Sequence, residues 1–206
     1  QSHTLSEGQD LDQPTQDLFG IEGSQSVAEF RDATAIEASS SGTRIIGFQP
    51  WLRPANAFDG NYATSWLTGG LEDPVGAFIR VDFREPETID RVSLLPFRPA
   101  DAGRRVTDVS LHFSTGEAID VELEGDGTTE VRFPARTTDH LEVRIEDVSR
   151  AGTAAVGFRG IAIPGIDLGE VIATPDDVVR AADSDPELRA ALSTAPPIPF
   201  VRAFAA

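Results

Sequence analysis

Oxygen donors crowd around Gly60. Asp59, Asn61 and Thr64 lie close together inside the run Asn56-Ala57-Phe58-Asp59-Gly60-Asn61-Tyr62-Ala63-Thr64-Ser65-Trp66. Asp-Gly-Asn makes a tight turn, because Asp and Asn accept local hydrogen bonds and Gly allows positive φ. Such a turn points carbonyls inward. With the Asp59 carboxylate and the Thr64 hydroxyl it forms an oxygen-lined cage, and Ca2+ takes about six to eight such oxygens. The same spacing also describes an Asx-turn that holds no metal. Phe58 and Trp66 flank the turn as anchors into the core.

Two loops carry the groups that sugar recognition needs, a flat apolar face and planar polar side chains. Phe48-Gln49-Pro50-Trp51-Leu52-Arg53 sets Trp51 beside Pro and Arg53, outside any alternating segment. Trp51 either presents a stacking face or plugs the end of the fold. Phe97 to Arg105 carries Arg98, Asp101, Arg104 and Arg105. Those arginines either reach ligand hydroxyls or form surface ion pairs, which contribute little singly.

No constellation for catalysis stands out. His3, His112 and His140 are scattered and expected to lack close partners. Ser114 and Ser149 lack the strand-turn-helix context of an activated serine. No glycine-rich phosphate loop occurs. The chain has no Cys, which excludes disulfides, thiolate nucleophiles and Cys-based zinc sites.

The elements that must position these loops read as strands. Ala33–Ala38, Ala77–Phe83, Thr88–Leu95, Val109–Phe113, Ile119–Leu123, Val131–Phe133, Leu141–Ile145 and Phe158–Ile163 follow one another, many alternating bulk with charge. About eight short strands without a long helix between them predict an all-β, two-sheet jelly-roll sandwich. Three regions follow from composition. Residues 1–32 are an acidic linker, in which Leu18, Phe19 and Ile21 are docking candidates; 33–166 form the sandwich. Residues 167–206 are a short helical extension leading toward a following domain. Thr174-Pro175 and Asp185-Pro186 mark two helix starts, and Phe200–Phe204 reads as a further strand.

The net charge is −17 and every basic residue is Arg. Such a surface repels nucleic acid and anionic headgroups at long range. No stretch has the ~20 apolar residues of a membrane helix. The chain lacks a signal-peptide pattern, does not start with Met, and reads as a piece of a longer protein.

The pattern Ala-x-Asp-Gly-x-x-x-Thr-x-Trp, with strands in this order over 33–166, resembles discoidin-like modules. These include coagulation-factor C-type domains and galactose-binding, family 32 carbohydrate-binding modules. The resemblance implies a discoidin/galactose-binding-like fold and a calcium site. Its ligands would be main-chain oxygens of Asn56, Asn61 and Thr64 with the side chains of Asp59 and Thr64. The completing acid often found in the closing strand is replaced here by Gly160, beside Arg159. The segments Ala38–Ser41, Arg53–Gly60, Thr64–Trp66, Ile163–Ile166 and Ala173–Val178 are also similar to the extracytoplasmic part of actinobacterial arabinofuranosyltransferases. That likeness implies a non-catalytic module of a membrane-anchored enzyme that builds cell-wall arabinan. It would contact arabinan- or galactan-type glycans and other domains of the same chain. The alternative is a structural spacer with no ligand of its own.

Overall fold

A computed structural model of the chain describes residues 27–42, 49–70, 73–99, 103–123, 125, 127–173 and 177–194. Strand β1 is Val27–Phe30 and β2 is Ala33–Ala38. Two short 3-10 turns, Pro50–Leu52 and Pro54–Ala57, precede β3, Trp66–Leu67. Then follow β4 (Phe78–Pro96), β5 (Val106–Phe113), β6 (Ile119–Glu122), β7 (Thr129–Val148), β8 (Gly157–Ala162) and β9 (Glu170–Ala173). Helices α1 (Asp177–Ser184) and α2 (Pro186–Thr194) close the described chain. The described residues fall into two compact units, 28–171 and a second made of Val27 with 172–194.

Two long strands build the sandwich. The first half of β4 pairs with β2 and with the second half of β7, which also pairs with β5; β6 borders β5. The second half of β4 pairs with the first half of β7 and with β8, which carries β3 at its edge. Each long strand therefore serves both sheets, as strands do when they turn a sandwich corner through bulges. The corner explains a difference from the sequence reading, which divided β4 and β7 into two strands each. Pairing shifts register between Asp82 and Glu87 and again between Ile89 and Arg91. Inward residues accordingly change parity, from Ile79, Val81, Phe83 and Ile89 to Val92 and Leu94. A one-residue slip turns every side chain over, so the period breaks where the strand does not. Pro86 and Pro134 fall in these unpaired stretches, where a missing N–H costs no ladder bond.

The core lies between the sheets. Trp66 is fully buried and stacks on Phe158, ring centroids 6.2 Å apart and nearly parallel. Its Nε1–H donates to the Ser40 carbonyl at 2.9 Å, which satisfies the one polar atom the ring carries inside. Gly157 is required for this packing, since a Cβ there would lie 2.1 Å from the Trp66 carbonyl oxygen.

In the second unit, α2 starts as its sequence dictates. Asp185 Oδ1 accepts the N–H groups of Glu187 and Leu188, and Pro186 occupies the first turn. The expected helix start at Thr174-Pro175, the docking residues Leu18, Phe19 and Ile21, and the Phe200–Phe204 strand lie outside the described residues.

Candidate functional site

The Asp59 turn closes on its own hydrogen bonds. Asp59 Oδ1 accepts the Asn61 N–H and Oδ2 accepts the Thr64 hydroxyl, both at 2.7 Å. Thr64 Oγ1 also lies 2.7 Å from the Asn61 carbonyl, so three oxygens converge around one proton. Gly60 supplies the left-handed residue, at φ 69°. Asn56 is buried; its Nδ2 donates to the Pro50 carbonyl at 2.8 Å and holds the preceding loop. The Ser65 N–H donates to the Trp51 carbonyl at 3.0 Å, tying that loop to the start of β3.

The donors are hard oxygens, which suits a cation of the calcium type. Asp59 is the one carboxylate of the set. Among the described residues, no three His, Cys, Asp or Glu side chains gather as a metal would need. Gly160 carries no acid, and one edge of the Tyr62 ring lies beside it. A Cβ at 160 would sit 3.3 Å from Tyr62 Cε1.

The sequence-chosen ligand residues separate into two places. Trp51 and Arg53 flank the Asp59 turn. Trp51 is 54% exposed, so it does not plug the fold. Arg53 pairs with Glu170 and bonds Asn56 Oδ1 through Nε, which fixes its orientation. Arg98, Arg104 and Arg105 lie at the loop end of the sandwich, where β4 and β7 finish and β5 begins. Arg98 is exposed. Arg104 is only 5% exposed. Its Nη1 donates to the Gly152 carbonyl, and its Nη2 faces Asp73 Oδ1 at 3.8 Å. Its guanidinium thus braces a neighbouring loop from inside. Arg105 is half-buried; its backbone N–H donates to Ser149 Oγ and its carbonyl accepts the Ser149 N–H. Asp101 lies outside the described residues. A cavity of about 200 Å³ opens at this end, lined by Ser39, Ser40, Thr68 and Asp73.

Tyr62 lies inside the motif, where its residue type alone implies no role. The structure places it 65% exposed, at the wall of a groove of about 300 Å³ on the outer face of the β8–β4 pair. Sequence offers no signal for this position, because the groove depends on Gly160 facing outward.

His112 does have a partner. Its Nε2 lies 2.8 Å from Ser110 Oγ, and that hydroxyl donates to Glu146 Oε1. A serine whose proton goes to a carboxylate is not activated by the histidine, and Ser110 is buried. On the same face, Arg80 bonds Asp82 and Arg144 bonds Glu142. His140 titrates below the ordinary histidine range, first because it is partly buried and second because Arg80 is near.

Together these features define an all-β, two-sheet sandwich followed in sequence by short helices. The chain belongs to the family described as Domain of unknown function (DUF7402), matched over residues 30–163. It is 30% identical over 186 residues to the Alpha-(1->3)-arabinofuranosyltransferase of Mycobacterium tuberculosis, covering 73% of this chain and 13% of that protein. It is 26% identical over 156 residues to the Mycolicibacterium smegmatis protein of the same description, covering 66% of this chain and 11% of that one. The chain thus spans a small part of the curated relatives it matches. The cryo-EM structure of arabinofuranosyltransferase AftD from Mycobacteria aligns with a TM-score of 0.60 at 20% identity, over 71% of this chain and 12% of that one. Chitosan-binding module 2 of a Paenibacillus sp. chitosanase/glucanase, solved with chitotriose, aligns with a TM-score of 0.51 at 16% identity. That match covers 64% of this chain and 95% of the module. Among the described residues, no helix is long and apolar enough to cross a membrane.

Proposed function

We propose that the sandwich is a non-catalytic glycan-binding module of a larger, membrane-anchored arabinofuranosyltransferase, held on the extracytoplasmic side. One observation carries this reading. Two large aromatic side chains, Trp51 and Tyr62, stand exposed beside a turn pinned by Asp59, Asn56 and Thr64. Exposed aromatics on a fixed loop provide stacking area at little conformational cost. The names of the relatives point to an arabinose-containing glycan; galactan, and other domains of the same chain as further partners, come from the sequence resemblance. Calcium belongs to this proposal. Its ligands would be Asp59 and Thr64 side chains with main-chain oxygens of Asn56, Asn61 and Thr64, and the ion would stiffen the loop under Tyr62.

Fluorescence titration tests the reading. Trp66 is sealed in the core, so a change on adding arabinan or galactan oligosaccharides reports Trp51. Saturable change with a neutral oligosaccharide is expected. Flat titrations with both glycans, calcium present, would sink the proposal. The competing reading is a spacer, favoured by Arg53 and Arg104 being tied to protein partners. It predicts those flat titrations.

A further inference from the structure

The geometry assigns the groove beneath Tyr62 as a subsite for one neutral sugar ring, stacked on Tyr62 over a floor of small residues. This inference rests on the glycan-binding reading and gives it a location and a ligand class.

The floor follows from sheet register. Ser93 pairs with Ala162 and Leu95 with Gly160. Both alternate with buried Leu94, so they face away from the core. Gly160, Ala162 and Ser93 leave a shallow surface, and Thr128 also lines the groove. Tyr62 supplies the wall, its edge near Gly160 and most of its ring in solvent. The backbone at Gly160 does not adopt a left-handed φ, so no conformational need demands glycine there. What glycine provides is space, since a Cβ would press on Tyr62 Cε1 at 3.3 Å and meet Leu95 at 3.8 Å. The volume, about 300 Å³, lies at the small end of ligand sites.

The rim decides the charge of the occupant. Asp59 and Asp167 line the groove. Each already accepts local bonds, Asp59 from Asn61 and Thr64, and Asp167 from Arg31 and Gly169. A carboxylate has about four acceptor positions, so both retain capacity for sugar hydroxyls. The Arg31 pair is solvent-exposed and exchanges readily. In the calcium-free chain, two rim carboxylates on a protein of net charge −17 disfavour an anionic sugar. A neutral ring with adjacent hydroxyls satisfies both the aromatic wall and the acceptors.

The test is an amide-shift titration of the full chain with a neutral arabino-oligosaccharide, and with an oligogalacturonate of matched length. Shifts at Gly160, Ala162 and Ser93 are expected with the neutral sugar. Tyr62→Ala and Gly160→Val should each weaken binding at least about tenfold, and the anionic sugar should bind at least about tenfold more weakly. Tyr62→Ala removes an exposed ring, so it stays informative if Gly160→Val folds poorly. If both variants keep wild-type affinity while Trp51→Ala loses it, the groove is not the site and the module reading survives. Equal affinity for the anionic sugar overturns the charge argument. Failure of the wild-type chain to bind either sugar removes both inferences.

Discussion

At the loop end, Arg104 is turned inward onto the Gly152 carbonyl, and a small cavity lined by hydroxyls remains beside it. On the flank by the Asp59 turn, Trp51 and Tyr62 are turned outward, and the polar groups beneath them bond one another. The first region resembles a binding loop in sequence and acts as a brace in the fold. The second resembles a structural turn in sequence and presents the exposed aromatic area. Desolvation explains the contrast. A guanidinium satisfies a loop carbonyl while its methylene stem fills space. Trp51 and Tyr62 instead keep most of their area in water.

Gly157 tests the frame that both regions share, and Gly157→Ala should have the largest effect. Its new Cβ would meet the Trp66 carbonyl oxygen at 2.1 Å, and Gly157 also accepts the Phe97 N–H at 2.8 Å. Backbone faces backbone there, so neither side yields cheaply. A loss of about 3 kcal/mol or more is expected in urea unfolding. An unchanged midpoint would mean that β3 and β8 are not packed as described.

Arg104→Ala comes next and separates the two regions. It removes a buried side chain and its bond to the Gly152 carbonyl, which water can then reach, at a cost of about 1–2 kcal/mol. Trp51→Ala, by contrast, should stay within about 0.5 kcal/mol of wild type, because the side chain is largely in water. Equilibrium unfolding of the two variants side by side makes the comparison. If Arg104→Ala is neutral to stability and weakens glycan binding, the roles given to the two regions are exchanged.

Much of the frame was legible from sequence. Period-two segments gave the strands, Trp66 was marked as an anchor by its place after the turn, and Asp185-Pro186 announced α2. The continuity of β4 and β7 was not legible. A bulge at Ile89–Arg91 shifts the inward parity, and in a string of letters that is indistinguishable from a strand end. Nor could sequence separate Arg98 from Arg104. Both stand in one Pro- and Gly-containing loop, and only the approach of Gly152 from a distant segment puts one inside. Tyr62 was hidden for a similar reason. Its exposure depends on Gly160 facing outward, which follows from the register shift between Leu95 and Pro96 opposite β8.

The Asp59 turn sharpens the flank. Asp59→Ala removes two side-chain hydrogen bonds from an exposed turn and should cost about 1–2 kcal/mol. It should also loosen Tyr62 and weaken glycan binding without removing a stacking ring. If calcium occupies the turn with the weak affinity of extracellular modules, about 10 mM calcium should add roughly 1–3 kcal/mol to the wild type. It should add nothing to the variant. Melting curves with calcium and with chelator decide this. Identical curves for the wild type would mean that the turn is closed by hydrogen bonds alone.

The smallest effect is expected at His140, on the outer face of the β2–β4–β7–β5 sheet, away from both regions compared. His140 stands opposite Asp82 in the ladder, with Arg80, Glu142 and Asp139 also near. Partial burial, and then Arg80, lower its pKa in the fold. The unfolded chain takes up this proton at about pH 6.5, the folded chain only at lower pH. More protons are bound by the unfolded state between those two values, so stability rises with pH across that window. The contribution is complete above about 6.5 and is lost as pH falls through the folded value. His140→Asn should therefore flatten the difference in melting temperature between about pH 7.5 and about pH 5.5, relative to wild type. Glycan affinity should not change, because neither the loop end nor the Tyr62 flank includes this residue. A variant that alters affinity and leaves the pH slope intact would extend the binding surface onto the sheet face and undo the division into two regions.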